Sequence, residues 1–513
     1  MGAANRENAR DYSSDTYQNK DKIILGVAND MTDSQLFIGG ELLDARSGAR
    51  YDNINPATEM KIGTAVDAGS RDMDAAIAAA RHAFDNSVWS RNRALRQHCL
   101  TQLRDNLRAA AAEMRVQIAA ETGAPLGLAY GYQCDGPIAA IDWTLQLLNE
   151  YAFESELPVT ENMGVASRRL IWREACGVVA AITPWNAPLQ INLAKIIPAL
   201  AAGCTVVLKA APETPWAAAA IGAAAANTDL PAGVLNIITA HEPHALGEQL
   251  VLDPRIDMVS FTGSTATGRQ IMAAAAGTLK KVFLELGGKS ANIILDDADF
   301  DSALTSSLIV CYHAGQGCTA PSRILLPQAR YAEAVARIKA LFEQLPYGDP
   351  DSMQQIMGPL ISERQRERVL GYIQRGIAEG ARLVTGGAIP AQLPRGYYVQ
   401  PTLLADVDNR MSVAQQEIFG PVLCAIPYRD DDDAVRIANE SIYGLSGAVA
   451  SSSNERALGV ARRIRSGTLN INNANFFAPD TPFGGYKQSG IGREMGVEGF
   501  AEYLETKVVA LPA

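Results

Sequence analysis

Apolar positions recur with helical spacing in two early segments. Met73, Ile77, Ala80 and Phe84 are spaced four, three and four apart, and Leu100, Leu103, Leu107, Ala110, Met114 and Ile118 carry that rhythm further. An apolar face repeating every 3.6 residues predicts two amphipathic helices that pack a core. Ahead of them, Leu36, Phe37 and Ile38 run into Gly39 and Gly40, a short strand ending in a turn. From residue 177 the pattern changes. Short apolar runs at 177–182, 205–208, 234–238, 258–261 and 282–286 alternate with helical segments, one reaching about Leu200 and an Ala-rich one starting near Pro215. Strands buried on both faces require such continuous runs, and their alternation with helices predicts a parallel α/β sheet. A second pattern of this kind starts at 292–295, includes runs at 323–326 and 422–426, and ends near residue 470, which predicts a second domain. The hydrophilic stretch 153–175 interrupts the first pattern and reads as a hairpin arm. There is no internal repeat.

Composition narrows the class. The chain has 513 residues, 48% hydrophobic and 20% charged, enough apolar material for two or three domains. Lys and Arg number 45 against 56 Asp and Glu, a net charge of −11, so no overall electrostatic footprint for nucleic acid or an anionic membrane exists. Seven cysteines without C-x-x-C spacing read as reduced thiols in a cytoplasmic protein. No run is long and apolar enough to predict a membrane-spanning helix. Residues 1–30 read as a polar extension, and Glu7, Asp11 and Asp15 argue against a transit peptide. His241-Glu242-Pro243-His244 is one residue short of H-E-x-x-H and carries Pro where that motif needs a helix, so no metal site is expected.

Parallel sheets bind ligands at the carboxyl ends of their strands, so the residues just after each run are the candidates for chemistry. After the first run come Ile182, Thr183, Pro184, Trp185 and Asn186. An amide there either donates to a developing oxyanion or caps a turn. Lys209 ends the second run and either holds a ribose hydroxyl or phosphate or is solvated. Gly263 and Ser264 end the fourth run and open a helix, whose N-terminus favours a phosphate or is simply capped. The spacing Gly263 to Gly268 matches a P-loop, but Arg269 and Gln270 replace its Lys and Ser/Thr, which excludes an ATP reading. Glu285 ends the fifth run. A carboxylate on an apolar strand end has a raised pKa, which suits a general base. Cys318 lies among small residues in Gly315-Gln316-Gly317-Cys318-Thr319-Ala320, where a thiol is accessible to a substrate or is merely inert. His313, five residues earlier, reads as structural.

Taken together and in order, these segments carry more than each does alone. The motifs Pro184-Trp185-Asn186, Phe261-Thr262-Gly263-Ser264, Leu284-Glu285-Leu286-Gly287-Gly288-Lys289, Gly315-Gln316-Gly317-Cys318, Glu417-Ile418-Phe419-Gly420-Pro421 and Pro482-Phe483-Gly484-Gly485-Tyr486-Lys487-Gln488-Ser489-Gly490 resemble those of the aldehyde dehydrogenase superfamily, from about residue 36 onward. The resemblance implies a Rossmann-like dinucleotide-binding domain (31–152 and 176–287), a catalytic α/β domain (288–488), and an oligomerisation arm and tail (153–175 and 489–513). It implies Cys318 as nucleophile, Asn186 as oxyanion donor, Glu285 as the base that activates water, and Lys195 and Glu494 as a proton relay or as residues that order the site. A surface charge and a structural ion pair are the plain alternatives for those last two.

For the cofactor it implies Ile182, Thr183, Pro184, Trp185, Lys209, Gly263, Ser264, Glu285, Leu286, Gly287, Glu417 and Phe419. Many NAD-preferring relatives carry Glu three residues after the lysine. Here Pro212 stands there and Glu213 follows, so NAD is expected and NADP use stays open. For the substrate it implies Ala187, Ile191, Ala194, Gly317, Thr319, Phe476 and Phe477. Ala187 and Ala194 replace bulky aromatics, which predicts a wide tunnel and a bulky or long apolar aldehyde, unless other side chains refill the space. A homodimer or homotetramer is expected, with no nucleic acid or membrane partner. The rival readings are a CoA-acylating semialdehyde dehydrogenase, whose members usually lack the base that Glu285 supplies, an enzyme acting mainly on esters through Cys318, and a relative that has lost catalysis.

Overall fold

The computed structural model describes residues 34–513. The polar extension 1–30 lies outside the described residues. The two amphipathic helices are Ser70–Asn86 and Arg93–Thr122, with Met73, Ile77, Leu100, Leu103, Leu107, Met114 and Ile118 buried as their spacing requires. Gly123 in the left-handed conformation ends the longer one.

The first sheet has eight strands in the order Gly490–Ile491, Lys281–Glu285, Met258–Thr262, Val178–Ile182, Thr205–Lys209, Leu235–Ile238, Leu36–Ile38 and Glu41–Leu43. Its five central strands, from Lys281–Glu285 to Leu235–Ile238, are parallel to one another. Residue alternation sends Val179, Ala181, Val206 and Leu208 into the core on one face and Val178, Ala180 and Val207 into the core on the other. Both faces are therefore covered, which is why these strands read as unbroken apolar runs. The chain builds outward from Val178–Ile182 on one side, then returns to add Met258–Thr262 and Lys281–Glu285 on the other. This reversal opens a crevice at the strands' carboxyl ends, where Ile182, Lys209, Thr262 and Glu285 all lie.

The second sheet has seven strands, in the order Arg382–Thr385, Thr402–Ala405, Val422–Tyr428, Arg323–Pro327, Ala291–Ile294, Gly447–Ala450 and Asn470–Ile471. All its pairings are parallel except that of Arg382–Thr385. It has its own core. The stretch 153–175 forms the expected hairpin, Glu154–Asn162 against Val165–Ala175, closed by a two-residue turn at Met163 and Gly164 with both φ positive. Leu504–Pro512 adds a third strand to it. The tail 489–513 is divided, because Gly490–Ile491 pairs instead with the end of Lys281–Glu285. That pairing ties the C-terminal segment to the strand that carries Glu285.

Candidate active site

Cys318 sits on a strained loop. His313, Ala314 and Gly315 have φ of 48°, 53° and 73°, three consecutive left-handed residues. A Cβ on Gly315 would stand 2.2 Å from the Gly420 carbonyl, and one on Gly288 would stand 2.6 Å from the Cys318 carbonyl. Glycine at these two positions lets the loop close against the backbone at Gly420 and against the end of the Glu285 strand. Gln316, fully buried, holds the loop by donating through Nε2 to the His313 and Pro359 carbonyls and accepting from the Ile361 N–H. The Asn186 Nδ2 donates to the Gln316 carbonyl at 2.8 Å. This bond sets the plane of the amide two residues from Cys318 and engages one of its two protons.

The Glu285 carboxyl and the Cys318 thiol face each other. Burial, then the Glu494 charge, pushes Glu285 up to about 8, while Lys195 and Cys318 pull it back. Burial, then the charges of Glu285 and Glu417, holds the Cys318 thiol well above its ordinary value. Oε1 of Glu285 is buried without a hydrogen-bond partner among the described residues. An orphaned carboxylate oxygen beside a thiol is a ready acceptor for a proton from the thiol or from water. His313 is buried with neither ring nitrogen hydrogen-bonded among the described residues, and burial lowers it to about 4. It stays neutral near pH 7 and cannot form an ion pair with the thiolate, in keeping with its structural reading.

Lys195 has no exposed surface, which removes its reading as a surface charge. Its Nζ donates to Glu494 Oε1 at 3.0 Å and to Ser260 Oγ at 3.3 Å, and lies 4.7 Å from the centre of the Phe283 ring. Glu494 exchanges two backbone hydrogen bonds with Phe483. The pair therefore joins the helix Pro188–Ala202 to the C-terminal segment behind Glu285. Removing one partner leaves a buried charge uncompensated. Lys195→Met is expected to cost about 3–5 kcal/mol of stability in urea unfolding. A cost below about 1 kcal/mol would mean that Glu494 is solvated or paired elsewhere.

The crevice at the strand ends gathers the other expected residues. Lys209 is buried, its Nζ bonds among the described residues only to the Ala210 carbonyl, and burial lowers it to about 8. Glu213 interacts with it electrostatically and lies 3.7 Å from Arg364, while Pro212 is half-buried. Ser264 caps the helix Thr265–Ala275, its Oγ accepting from the Thr267 N–H. Thr262 Oγ1, at the end of its strand, is buried and has no hydrogen-bond partner among the described residues. Glu417 accepts from the Gly288 N–H at 3.1 Å, and burial raises it to about 7. Phe419, at φ 60°, meets Trp185 edge to face at 5.5 Å. Ile182 and Pro184 are half-buried on the same strand end, Thr183 bonds Asn192, Gly263 is half-buried, and Leu286 and Gly287 are buried. A cation short of acceptors, a capped helix start, an unpartnered hydroxyl and a carboxylate match the phosphates and hydroxyls of a dinucleotide.

The expected substrate residues divide. Gly317 and Thr319 flank Cys318 and are half-buried. Phe476 stacks on Phe483 at 6.0 Å and meets Phe477 edge to face. Ala187 exposes no surface and Ile191 only 7%, so these two open no void of their own. Ala194 instead borders a cleft shared with Trp143, Thr144, Gln190, Pro479 and Met495. Sequence reasoning assigned no role to Phe483 or Gln316 although both stand in quoted motifs, and it missed Tyr132, Gln133 and Trp143, for which no motif or spacing gives a signal. Among the described residues no cluster of His, Cys, Asp or Glu could hold a metal ion, and no helix is long and apolar enough to cross a membrane.

The profile of the aldehyde dehydrogenase family matches residues 43–509. The chain is 41% identical to the 3-succinoylsemialdehyde-pyridine dehydrogenase of a Pseudomonas species, over 93% of this chain and 98% of that one. A solved aldehyde dehydrogenase from Mycobacterium tuberculosis, complexed with NAD+, superposes with a TM-score of 0.90 at 42% identity, over 94% of this chain and 99% of that one. A mutant of aldehyde dehydrogenase C from Pseudomonas syringae, complexed with NAD+ and octanal, has a TM-score of 0.88 at 38% identity, over 93% and 96%. With Cys318, Glu285 and Asn186 gathered at one crevice and the match running almost end to end, the chain belongs to the aldehyde dehydrogenase family of oxidoreductases.

Proposed function

We propose that this chain oxidises an aldehyde to its carboxylic acid with NAD as hydride acceptor, by way of a thiohemiacetal and then a thioester on Cys318. One observation carries the reading: the unpartnered Glu285 oxygen beside the Cys318 thiol. Glu285 takes the thiol proton as the sulfur attacks the carbonyl carbon. The Asn186 amide and the Cys318 backbone N–H hold the resulting oxyanion, each such donor worth roughly 3–4 kcal/mol. When bound, the dinucleotide supplies the hydride acceptor for the oxidation. Glu285 loses the thiol proton to solvent, and as a carboxylate accepts one from water, whose oxygen attacks the thioester carbon; the C–S bond breaks to release the acid, and the proton on Glu285 returns to the departing thiolate. A base placed to activate water favours hydrolysis over acyl transfer to CoA.

Lys209, Ser264, Thr262 and Glu417 would hold the dinucleotide, with Trp185 and Phe419 as an aromatic flank. No carboxylate stands at Pro212 to repel a 2′-phosphate, so NADP is accepted as a weaker alternative. The substrate is a bulky or long apolar aldehyde. Phe476, Phe477 and Phe483 supply an aromatic wall, whereas the cleft that Ala194 borders is lined by Trp143, Ile197 and Phe500 and by none of Cys318, Glu285 or Asn186. The octanal and pyridine-semialdehyde names of the similar proteins agree with that class. The chain assembles as a homodimer or homotetramer through the arm, where Val159, Val165 and Val508 are more than half exposed on a three-stranded sheet that needs cover. All seven cysteines are free, in keeping with the cytoplasm.

The test is an absorbance assay for reduced nicotinamide, crossing acetaldehyde, octanal, a benzaldehyde and a terpenoid aldehyde with NAD and NADP. The expected result is the highest kcat/KM with the longer apolar aldehydes and NAD, unchanged by added CoA. Preference for acetaldehyde would overturn the substrate class, and dependence on CoA would overturn the hydrolytic step.

A further inference from the structure

The segment before the helix Asp135–Glu150 is irregular. Ala129–Gln133 forms a π-turn broken by Gly131 at φ −135°, ψ −105°. Such turns interrupt helices where a side chain must be re-aimed, frequently at functional sites. Gln133 fixes this one, being buried and donating through Nε2 to the backbone carbonyl of Asn186 at 2.9 Å. The turn is thereby bonded to the residue expected to hold the oxyanion.

Tyr132 is delivered by that turn. Its ring meets Phe477 edge to face at 5.5 Å. The side chain is 44% exposed, yet burial raises its hydroxyl far above the ordinary tyrosine range, with the charges of Cys318, Glu285 and Glu494 adding to the rise. The Gln133–Asn186 bond and the contact with Phe477 place this side chain beside two residues expected to face the substrate. The hydroxyl makes no hydrogen bond among the described residues. The rest of the aromatic cluster, Phe476, Phe477 and Phe483, offers no hydrogen-bonding group, so Tyr132 brings a free donor to these rings.

We propose that Tyr132 is a specificity-determining residue whose hydroxyl donates a hydrogen bond to an acceptor, a ketone oxygen or ring nitrogen, that the aldehyde carries beyond its reacting carbonyl. The reacting oxygen already has donors in Asn186 and the Cys318 N–H, and Tyr132 stands with Phe477 on the wall rather than on the nucleophile loop. An acceptor moved from water against these rings needs a partner, or its desolvation counts against binding. The proposal rests on the aldehyde oxidation argued above and refines its substrate class to apolar aldehydes with one acceptor.

The test uses the full-length enzyme with NAD and a series of arylalkanals bearing a ketone at successive positions, each paired with its methylene counterpart. At one ketone position the wild type is expected to favour the ketone, and Tyr132→Phe to lower that kcat/KM ratio about fivefold to tenfold, with the pH profile unchanged in shape. A ratio unmoved at every position overturns the proposal. So does an equal loss on both members of each pair with a shifted pH profile, since the phenol would then act on the Cys318–Glu285 pair. A wild type that reduces no nicotinamide with any aldehyde overturns the oxidation reading itself, and this proposal with it.

Discussion

Cys318→Ala is expected to lower aldehyde oxidation by roughly 10⁴-fold or more, because losing a covalent nucleophile removes the whole two-step route. No other thiol can substitute. Cys99, Cys134, Cys204, Cys311 and Cys424 are fully buried, and Cys176 lies by Cys204 at the root of the arm. Burial holds the Cys311 thiol far above its ordinary value, seven residues before Cys318, so it supplies no thiolate near pH 7. The loop itself should survive the change, since Gln316 and the left-handed run His313–Gly315 fix it without using the sulfur. The check is the rate of reduced nicotinamide formation at saturating aldehyde, beside a thermal unfolding trace. A folded variant that keeps turnover within tenfold of wild type would sink the nucleophile assignment.

What could be read in advance follows from how each feature is encoded. The central strands are buried on both faces, so their apolar runs were visible and the residues after them fell at the crevice. Cys318 and Glu285 were legible because their motifs are local. Their relation was not, since it arises from Gly288 and Gly315 permitting two separate segments to touch. The raised Glu285 followed from an apolar strand end, a rule that needs no coordinates. The buried Lys195–Glu494 pair joins residues far apart in sequence, so spacing could not separate it from a surface charge. Ala187 and Ala194 looked equivalent as small residues, but one is sealed at a helix start and the other borders a cleft, a difference set by what packs over each. Tyr132 was invisible because a π-turn has no periodic signature. Gly490–Ile491 was assigned to the tail by position, whereas two residues of strand carry too little pattern to announce a pairing partner.

Glu285→Gln separates the two halves of the reaction. Acylation can proceed with slower deprotonation of the thiol, but the thioester then lacks a base to activate water. The expected trace is a burst of reduced nicotinamide of about one equivalent per active site, followed by steady turnover reduced roughly 10²- to 10⁴-fold. The pH dependence has a definite sign. Burial and Glu494 raise Glu285 to about 8, so near pH 7 most of it is protonated and cannot act as a base. Wild-type turnover should rise from pH 7 to pH 9 with a midpoint near 8, as the carboxylate forms. The Gln variant, isosteric but unable to ionise, should lose that limb. Hydroxylamine attacks a thioester without needing a general base, so it should release the trapped acyl group and restore turnover in the variant far more than in wild type. Undiminished steady-state turnover, or a burst absent while hydroxylamine has no effect, would remove Glu285 as the deacylating base and return the CoA-dependent reading to consideration.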